Sequence, residues 1–308
     1  MLTVDIPKEA LVRQIILGCL MAFLLLAALP QAVPCAQPTA DLPAHAALDL
    51  AVLRAAYPGA VQGLERNPAG QLELVLTSGQ RLMYDDGRTE SATADSRHAD
   101  DPHANDAKKD LTAPDLRTMM AQAYPLGPVD EASANPKPGF DPGRARVQGL
   151  FTALYGATEA QVRKNCTPVH FDTHTLPFST RFGAAQALER VWRRIEPLLP
   201  QHPEFLPVLR PLGETLAWRV IAGTQRLSMH SFGIALDVNP DLPYWRWEKH
   251  PETIPARCRA FPPELLAAFE AEGFIWGGKW ASFDLMHFEY RPELVLKARI
   301  LAGELPQP

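Results

Sequence analysis

The chain has 308 residues, which is enough for one large domain or two modest ones with a sizeable core. Its formal net charge of −5 is spread along the sequence without a basic patch, which argues against a nucleic-acid partner. It contains 4 cysteines and no Cys-x-x-Cys pair, so the sequence does not indicate a zinc site built from thiolates.

Residues 1–36 have the pattern of a secretory signal peptide. Lys8 and Arg13 precede an unbroken apolar run from Ile15 to Leu29, and small residues up to Ala36 offer cleavage points. The run is shorter than the roughly 20 residues that a membrane-spanning helix needs, so no stable span is expected after signal removal. A retained N-terminal anchor is the alternative. In either case we expect the rest of the chain to be exported, to the periplasm or the cell envelope.

Residues 41–90 are predicted to form a small αββ unit. The segment 48–57 has the pattern of a short amphipathic helix, and Leu72–Leu76 alternates as a strand does. Residues 77–80 are typical of a turn, after which residues 81–84 pair back as a hairpin. The unit has too little apolar surface to stand far from a neighbour.

Residues 91–143 are predicted to be a polar linker followed by a connection rich in Pro and Gly. The stretch 88–110 has no periodic apolar residue, which is typical of a linker or a mobile loop. His98 and His103 lie there among aspartates. A solvated linker is the ordinary interpretation of these histidines, and weak surface metal binding is the alternative.

Residues 144–308 are predicted to form the main domain, with a small antiparallel sheet flanked by helices. Residues 183–199 form the clearest helix, because apolar residues recur there at every third or fourth position, and residues 263–272 form another. Three further segments have β-like patterns: 216–221, 234–238 and 287–290. Helices interleaved with short strands, without a repeating βαβ rhythm, are typical of the α+β class.

Two short stretches of this domain carry two histidines and two aspartates among small and apolar residues. Ser228–Asp237 has the sequence Ser-Met-His-Ser-Phe-Gly-Ile-Ala-Leu-Asp, and Phe283–Tyr290 has the sequence Phe-Asp-Leu-Met-His-Phe-Glu-Tyr. An aspartate bracketed by Ile, Ala, Leu and Val is costly to bury unless a divalent cation compensates its charge. These residues are the ingredients of a catalytic zinc site, in which three protein ligands leave a fourth position for water.

Asp284 lies three residues before His287, and we expect it on a bend that leads into the strand. From there its carboxylate can reach a water at the metal and take its proton. A zinc hydrolase needs a residue that binds the metal and a base that activates the water. Here the histidine is the expected ligand and the carboxylate beside it is the expected base.

These motifs resemble those of the zinc D-Ala-D-Ala carboxypeptidases and dipeptidases and of their L-Ala-D-Glu endopeptidase relatives. The pattern Ser-x-His-x-x-Gly-x-Ala-x-Asp begins at Ser228, and Asp-x-x-His begins at Asp284, which gives seven fixed positions in the right order. The resemblance covers roughly residues 144–299. It implies the hedgehog/DD-peptidase fold, a Zn²⁺ ion, and peptidoglycan stem peptides as the substrate.

The resemblance also implies roles for single residues. His230, Asp237 and His287 correspond to the zinc ligands, and Asp284 corresponds to the general base. Many D-Ala-D-Ala dipeptidases have glutamate at the base position, so an aspartate there favours the endopeptidase branch mildly. The family uses an arginine upstream of the first histidine to hold the oxygen that becomes charged, and Arg219 is the candidate. It lies in a predicted strand among apolar residues.

Other residues near the motifs are predicted to assist. Arg226 is the rival of Arg219 for the role of oxyanion donor. Glu289 shares a strand face with His287 and is expected to orient that ligand. Ser228 is expected to shape the turn before the first histidine. Trp280, in a Gly-Gly loop flanked by Trp, is expected at the mouth of the site, where it can hold a stem peptide or a glycan.

Two sequence features leave alternatives open. The run from His170 to His174 places three possible ligands on one strand face, but it lacks the separated second half that would complete a pocket. It is either a second metal site or an exposed strand or loop. Cys166 and Cys258 either form a disulfide in an oxidising compartment or are two buried free thiols.

The sequence thus predicts an exported zinc metallopeptidase that cuts stem peptides with a water activated by Asp284. A catalytically inactive zinc-binding module that recognises cell-wall peptide is the alternative. Asp284 discriminates between them, because an inactive relative has no reason to keep an acid at that position. A zinc amidase is a second rival, which the order of the ligands disfavours.

Overall fold

The computed structural model of the protein describes residues 42–87, 113–221 and 224–306. The predicted signal peptide and the polar stretch that contains His98 and His103 lie outside these described residues. Residues from Leu42 onward cluster into one unit. Within the described ranges, no helix is both long and apolar enough to cross a membrane.

The described part of the chain contains ten α-helices, α1 to α10 in chain order: Ala44–Ala56, Leu116–Ala121, Glu131–Ala134, Gln148–Tyr155, Glu159–Lys164, Ala184–Ile195, Phe205–Leu209, Ile254–Ala260, Pro263–Ala271 and Pro292–Leu301. It also contains eight strands, β1 to β8: Val61–Arg66, Leu72–Leu76, Arg81–Met83, Cys166–Phe171, His174–Ser179, Ala235–Asp237, Phe274–Trp276 and His287–Tyr290. The strands form three antiparallel sheets, in the orders β1-β2-β3, β4-β5 and β6-β8-β7. This mixture of helices and small antiparallel sheets confirms the predicted α+β class.

The N-terminal part contains the predicted helix and hairpin as α1, β2 and β3. Strand β1 pairs along β2 and adds a third strand that the sequence pattern did not indicate. Gln62 and Gly63 break the apolar alternation of β1, and a bulge shifts its register between Val61 and Gly63. The period-2 pattern is therefore absent from a segment that is nevertheless extended.

Helix α1 shares a core with α10, the last helix of the chain. Lys297 Nζ donates to Asp49 Oδ1 at 2.5 Å, and Tyr57 Oη donates to Glu293 Oε2 at 2.6 Å. All four residues are buried, where an ionised group needs such a partner. The domain boundaries near residues 90 and 143 stay a prediction.

The described part of the predicted connection, from residue 113 to residue 143, is also packed on the core. The Tyr124 hydroxyl donates to Glu270 Oε1 at 2.8 Å, and both side chains are buried. Met119 and Met120 of α2 are buried as well. The apolar residues that interrupt the polar composition near residue 120 therefore contribute to the core.

The sheet β6-β8-β7 positions the site. Asp237 pairs with His287 across β6 and β8, and Ala235 pairs with Glu289. Directly opposed residues of an antiparallel pair lie on the same face of the sheet, so the register places the aspartate beside the histidine. On the other face the Phe288 ring stacks on Phe269 of α9, with ring centroids 3.9 Å apart.

Two element boundaries differ from the sequence prediction. The strand predicted at residues 216–221 is wrong, because that segment is irregular and only Val220 forms a bridge, with Leu227. Val220 is 52% exposed, so its side chain does not lie on the buried face of a sheet. The helix predicted at residues 183–199 ends as an α-helix at Ile195, since Pro197 follows and a short 3₁₀ turn completes it.

Candidate metal centre

Two histidines and an aspartate meet where β6 ends and β8 begins. His230 lies in a 3₁₀ turn, Met229–Phe232, that ends at Gly233. Gly233 has a φ of 64°, and a Cβ at this position would lie 2.9 Å from the Cys166 sulfur, so the turn requires glycine. The turn directs the chain into β6, which carries Asp237.

The ligand atoms of these three residues have the spacing of a tetrahedral metal site. His230 Nε2 lies 3.2 Å from Asp237 Oδ1 and 3.3 Å from His287 Nδ1, and His287 Nδ1 lies 3.0 Å from Asp237 Oδ1. Two ligands about 2.0–2.1 Å from a tetrahedral zinc ion are about 3.3 Å apart. Two imidazole nitrogens and one carboxylate oxygen therefore fit Zn²⁺, and they leave one tetrahedral position for water.

The charges of Asp237 and His287 depend on each other. Burial alone raises the pKa of Asp237, but hydrogen bonds and charge from His230 and His287 outweigh it and hold this pKa well below its ordinary value. Burial lowers the pKa of His287, yet the hydrogen bonds that its ring donates to the carboxylates of Asp237 and Glu289 raise this pKa to about 9. A proton on His287 thus supplies the positive charge that the carboxylates require when no metal is bound.

Glu289 holds the far side of the His287 ring. Its Oε2 lies 3.1 Å from His287 Nε2 and accepts from Arg146 Nη2 at 2.5 Å, while its Oε1 accepts from Arg291 Nη1 at 2.9 Å. Glu289 is fully buried, which by itself raises its pKa, but Arg146, His287 and Arg291 hold that pKa well below its ordinary value. An ionised carboxylate at this point fixes the tautomer and the orientation of the ring.

Asp284 lies close to the cluster, in an isolated β-bridge with Tyr244 just before the turn that leads into β8. Its backbone N–H donates to Gly277 O at 2.9 Å, and a Cβ on Gly277 would lie only 2.5 Å from the Asp284 carbonyl oxygen. Asp284 Oδ1 is buried and has no partner among the described residues, and Oδ2 lies 4.0 Å from Arg144 Nη2. Burial raises the pKa of this carboxyl. Because Oδ1 of Asp284 is buried and accepts no hydrogen bond, it is suited to accept a proton from a water molecule.

One cavity of about 230 Å³ contains the cluster and Asp284. Its wall also includes predicted residues, which are Ser228, Arg219 and Trp280. Ser228 is buried, and its backbone N–H donates to Arg219 O at 2.9 Å, so this serine holds the turn against the preceding segment.

Arg219 differs from the prediction in its surroundings. The residue has an irregular backbone, its side chain is 51% exposed, and its Nε lies 3.7 Å from Glu214 Oε2. The expectation of a buried arginine in an apolar strand is therefore wrong. Arg226, the rival, is absent from the cavity wall; its Nη1 donates to Arg144 O at 3.2 Å, and burial together with Arg146 and Arg144 lowers its pKa to about 10.

The sequence predicts the Gly-Gly loop at the mouth of the site, and in the structure the two tryptophans that flank it are buried. Trp276 and Trp280 are both fully buried. Their indole N–H groups donate to backbone oxygens, Trp276 to Leu285 at 2.8 Å and Trp280 to Pro142 at 2.6 Å. Trp280 lines the cavity beside His287, with ring centroids 5.8 Å apart.

Sequence reasoning missed Arg144 and Arg146 on the cavity wall, and it assigned no role to the other lining residues, which are Ile221, Tyr244, Arg246 and Trp247. Arg144 and Arg146 precede the first motif by more than 80 positions, and no spacing rule connects them to it. Two arginines one residue apart in the run Gly-Arg-Ala-Arg are the only signal in the sequence, and that pattern does not connect them with the motifs.

The structure distinguishes between the alternatives for the run from His170 to His174 and for the two cysteines, Cys166 and Cys258. His170 and His174 lie at the exposed end of the β4-β5 hairpin, and Arg210 pairs with Asp172 through two hydrogen bonds. No metal-binding group of the described residues includes them. Cys166 and Cys258 are free thiols, since Cys166 contacts the turn at Gly233 and Cys258 donates to Gly278 O.

Comparison with known proteins supports the motif-based resemblance. Residues 222–290 match the family described as D-alanyl-D-alanine carboxypeptidase. This segment includes the metal cluster and Asp284, so the resemblance indicated by the two motifs is confirmed. Among curated proteins and among solved structures, none matches the chain.

Proposed function

From the match to the D-alanyl-D-alanine carboxypeptidase family, we propose that this chain is an exported zinc peptidase that hydrolyses stem peptides of peptidoglycan. The bond is either L-Ala-D-Glu or D-Ala-D-Ala. One observation carries the proposal: three ligand atoms 3.0–3.3 Å apart share a cavity with the unpartnered oxygen of Asp284. Export is proposed from the first 36 residues alone.

The donor set fits zinc, and each residue has a distinct task. His230, Asp237 and His287 would hold the ion, with Glu289 orienting the His287 ring. When bound, Zn²⁺ supplies a Lewis acid that lowers the pKa of water and polarises a carbonyl. Asp284 accepts the proton of the attacking water and passes it to the leaving nitrogen, which is the usual double task of a carboxylate base.

Arg219 is proposed as the donor to the oxygen that gains negative charge. It lies on the cavity wall, and its exposed guanidinium is free to turn from Glu214 toward a substrate. A donor aimed at a developing oxyanion contributes on the order of 3 kcal/mol to the transition state. Its present distance from Glu214 is longer than a hydrogen bond, so little is lost when the side chain moves.

The alternative is an inactive zinc-binding module that recognises cell-wall peptide. Burial of Asp284 argues against it. A carboxyl that is buried without a hydrogen-bond donor on Oδ1 destabilises the fold, and a module without chemistry gains nothing in return.

Digestion of purified peptidoglycan with the zinc-loaded protein tests the proposal. We expect new fragments by mass spectrometry, and we expect a chelator to abolish them. Loss of terminal D-Ala identifies a carboxypeptidase, and new D-Glu amino termini identify an endopeptidase. Absence of any product that is sensitive to chelator would contradict the peptidase assignment and favour the inactive module.

A further inference from the structure

Two arginines of the cavity wall have unused hydrogen-bond donors. Arg144 and Arg146 immediately precede α4, and both line the cavity with the metal cluster. The Nε atom of each is buried and has no hydrogen-bond partner among the described residues. Arg146 is 8% exposed, and burial lowers the pKa of its guanidinium. Buried donors are almost always satisfied, so this pair is arranged for an acceptor that a ligand brings.

Other groups hold the rest of each guanidinium in place. Arg144 Nη2 donates to Ser282 O at 2.6 Å, and its guanidinium lies 4.5 Å above the Trp280 ring. Arg146 Nη2 donates to Glu289 at 2.5 Å. These contacts fix the planes of both guanidinium groups and leave the Nε edges unpaired, so the donors are organised before a ligand arrives.

The position of Arg144 indicates which part of a substrate it meets. Its Nη2 lies 4.0 Å from Asp284 Oδ2. Asp284, in the function proposed above, delivers a proton to the leaving nitrogen. A cation beside Asp284 therefore lies beside that nitrogen. The α-carbon of the residue after the scissile bond is attached to the same nitrogen, and a carboxylate on this carbon is two bonds away from it.

We propose that Arg144 and Arg146 bind a carboxylate carried on the α-carbon of the residue that follows the scissile bond. The inference rests on the proposed function and defines its substrate class. Guanidinium N–H groups and a carboxylate match in geometry and charge. Two stem-peptide residues carry such a group: a terminal D-Ala, whose α-carboxylate ends the chain, and a D-Glu that continues through its γ-carboxyl and so keeps its α-carboxylate free.

Matched acid and amide peptides test the pair with the zinc-loaded protein. One series is L-Ala-γ-D-Glu-L-Lys and the same peptide with a D-Glu α-carboxamide; the other is acetyl-L-Lys-D-Ala-D-Ala and its C-terminal amide. In the series that is cleaved, we expect the amide to lower kcat/KM by about a hundredfold, mainly through KM. The series that is cleaved identifies the source of the carboxylate.

Variants separate recognition from structure. Arg144→Gln should lose most of the preference for the acid, because only Arg146 is left to hold the carboxylate, whereas Arg144→Lys should keep more of it because it keeps the charge. Arg144 is chosen because Arg146 also holds Glu289, whose loss disturbs His287. Arg163→Gln, which removes an exposed arginine paired with Glu159 on α5, is the matched control and should keep the full preference.

Equal cleavage of acid and amide by the wild-type protein, or a full preference retained in Arg144→Gln, would overturn the inference. If no peptide is cleaved, the proposed function fails, and binding becomes the readout. Calorimetric titration of the metal-free protein with each acid and amide pair then decides. Tighter binding of an acid peptide, lost in Arg144→Gln, supports the pair, and equal binding overturns it.

Discussion

The substitution Glu289→Gln removes one negative charge from the centre of a buried network. The carboxylate is fully buried between His287, Arg146 and Arg291. Glutamine has the same size, but it has one acceptor oxygen and turns an amide donor toward one of these cationic groups. We therefore expect Glu289→Gln to weaken both the folded state and zinc binding.

Both magnitudes follow from the contacts of Glu289. Breaking a buried ion pair by removing one partner costs about 3–5 kcal/mol. In a protein of this size 1 kcal/mol changes Tm by about 2–4 °C, so Tm should fall by roughly 10 °C. Loss of the group that orients a metal-binding histidine weakens metal affinity by about 10–100-fold.

Thermal unfolding of the metal-free protein and competition with a chromophoric zinc chelator measure the two effects. Glu270→Gln is the matched control, since Glu270 is also buried and accepts from Lys279 and Tyr124 but lies apart from the metal cluster. It should lower Tm to a similar extent and leave zinc affinity unchanged. Wild-type zinc affinity in Glu289→Gln, or equal weakening in Glu270→Gln, would refute the specific role of Glu289.

Three further predictions concern the site. Asp284→Asn should lower kcat by about 10²–10⁴-fold while the protein still holds close to one zinc per chain; loss of the zinc would assign Asp284 to metal binding instead. Arg219→Ala should lower turnover by about a hundredfold at unchanged zinc content, and unchanged turnover would remove Arg219 from the mechanism. The raised pKa of His287 stabilises the metal-free fold below pH 6.5, and this stabilisation is lost as the pH rises to about 9. Zinc must displace that proton, so isothermal titration should show affinity rising by about tenfold per pH unit up to about 9, and a flat profile would contradict the assigned charge state.

The site motifs were predictable because they combine strand alternation with charge. Asp237 and His287 lie among apolar residues at spacings that place them inward on short strands, and an inward charge needs compensation. The structure brings both residues together with His230 at ligand distances. Their assignment as zinc ligands stays a prediction until a metal is measured.

Other parts were not predictable, for physical reasons. The segment 216–221 is as apolar as a strand, but pattern alone does not reveal whether a partner strand is available. Trp276 and Trp280 are buried through indole hydrogen bonds to distant carbonyls, which composition does not report. Arg144 and Arg146 reach the site through tertiary packing, so no local pattern connects them with the motifs.

The most direct test of the zinc centre is the zinc content of three purified proteins after dialysis, measured by mass spectrometry of the metal. The wild-type protein and His170→Ala, which changes an exposed histidine of the β4-β5 hairpin, should each hold close to one zinc per chain. His230→Ala should hold almost none. Zinc retained by His230→Ala, or zinc lost only in His170→Ala, would contradict the assignment of the metal to His230, Asp237 and His287.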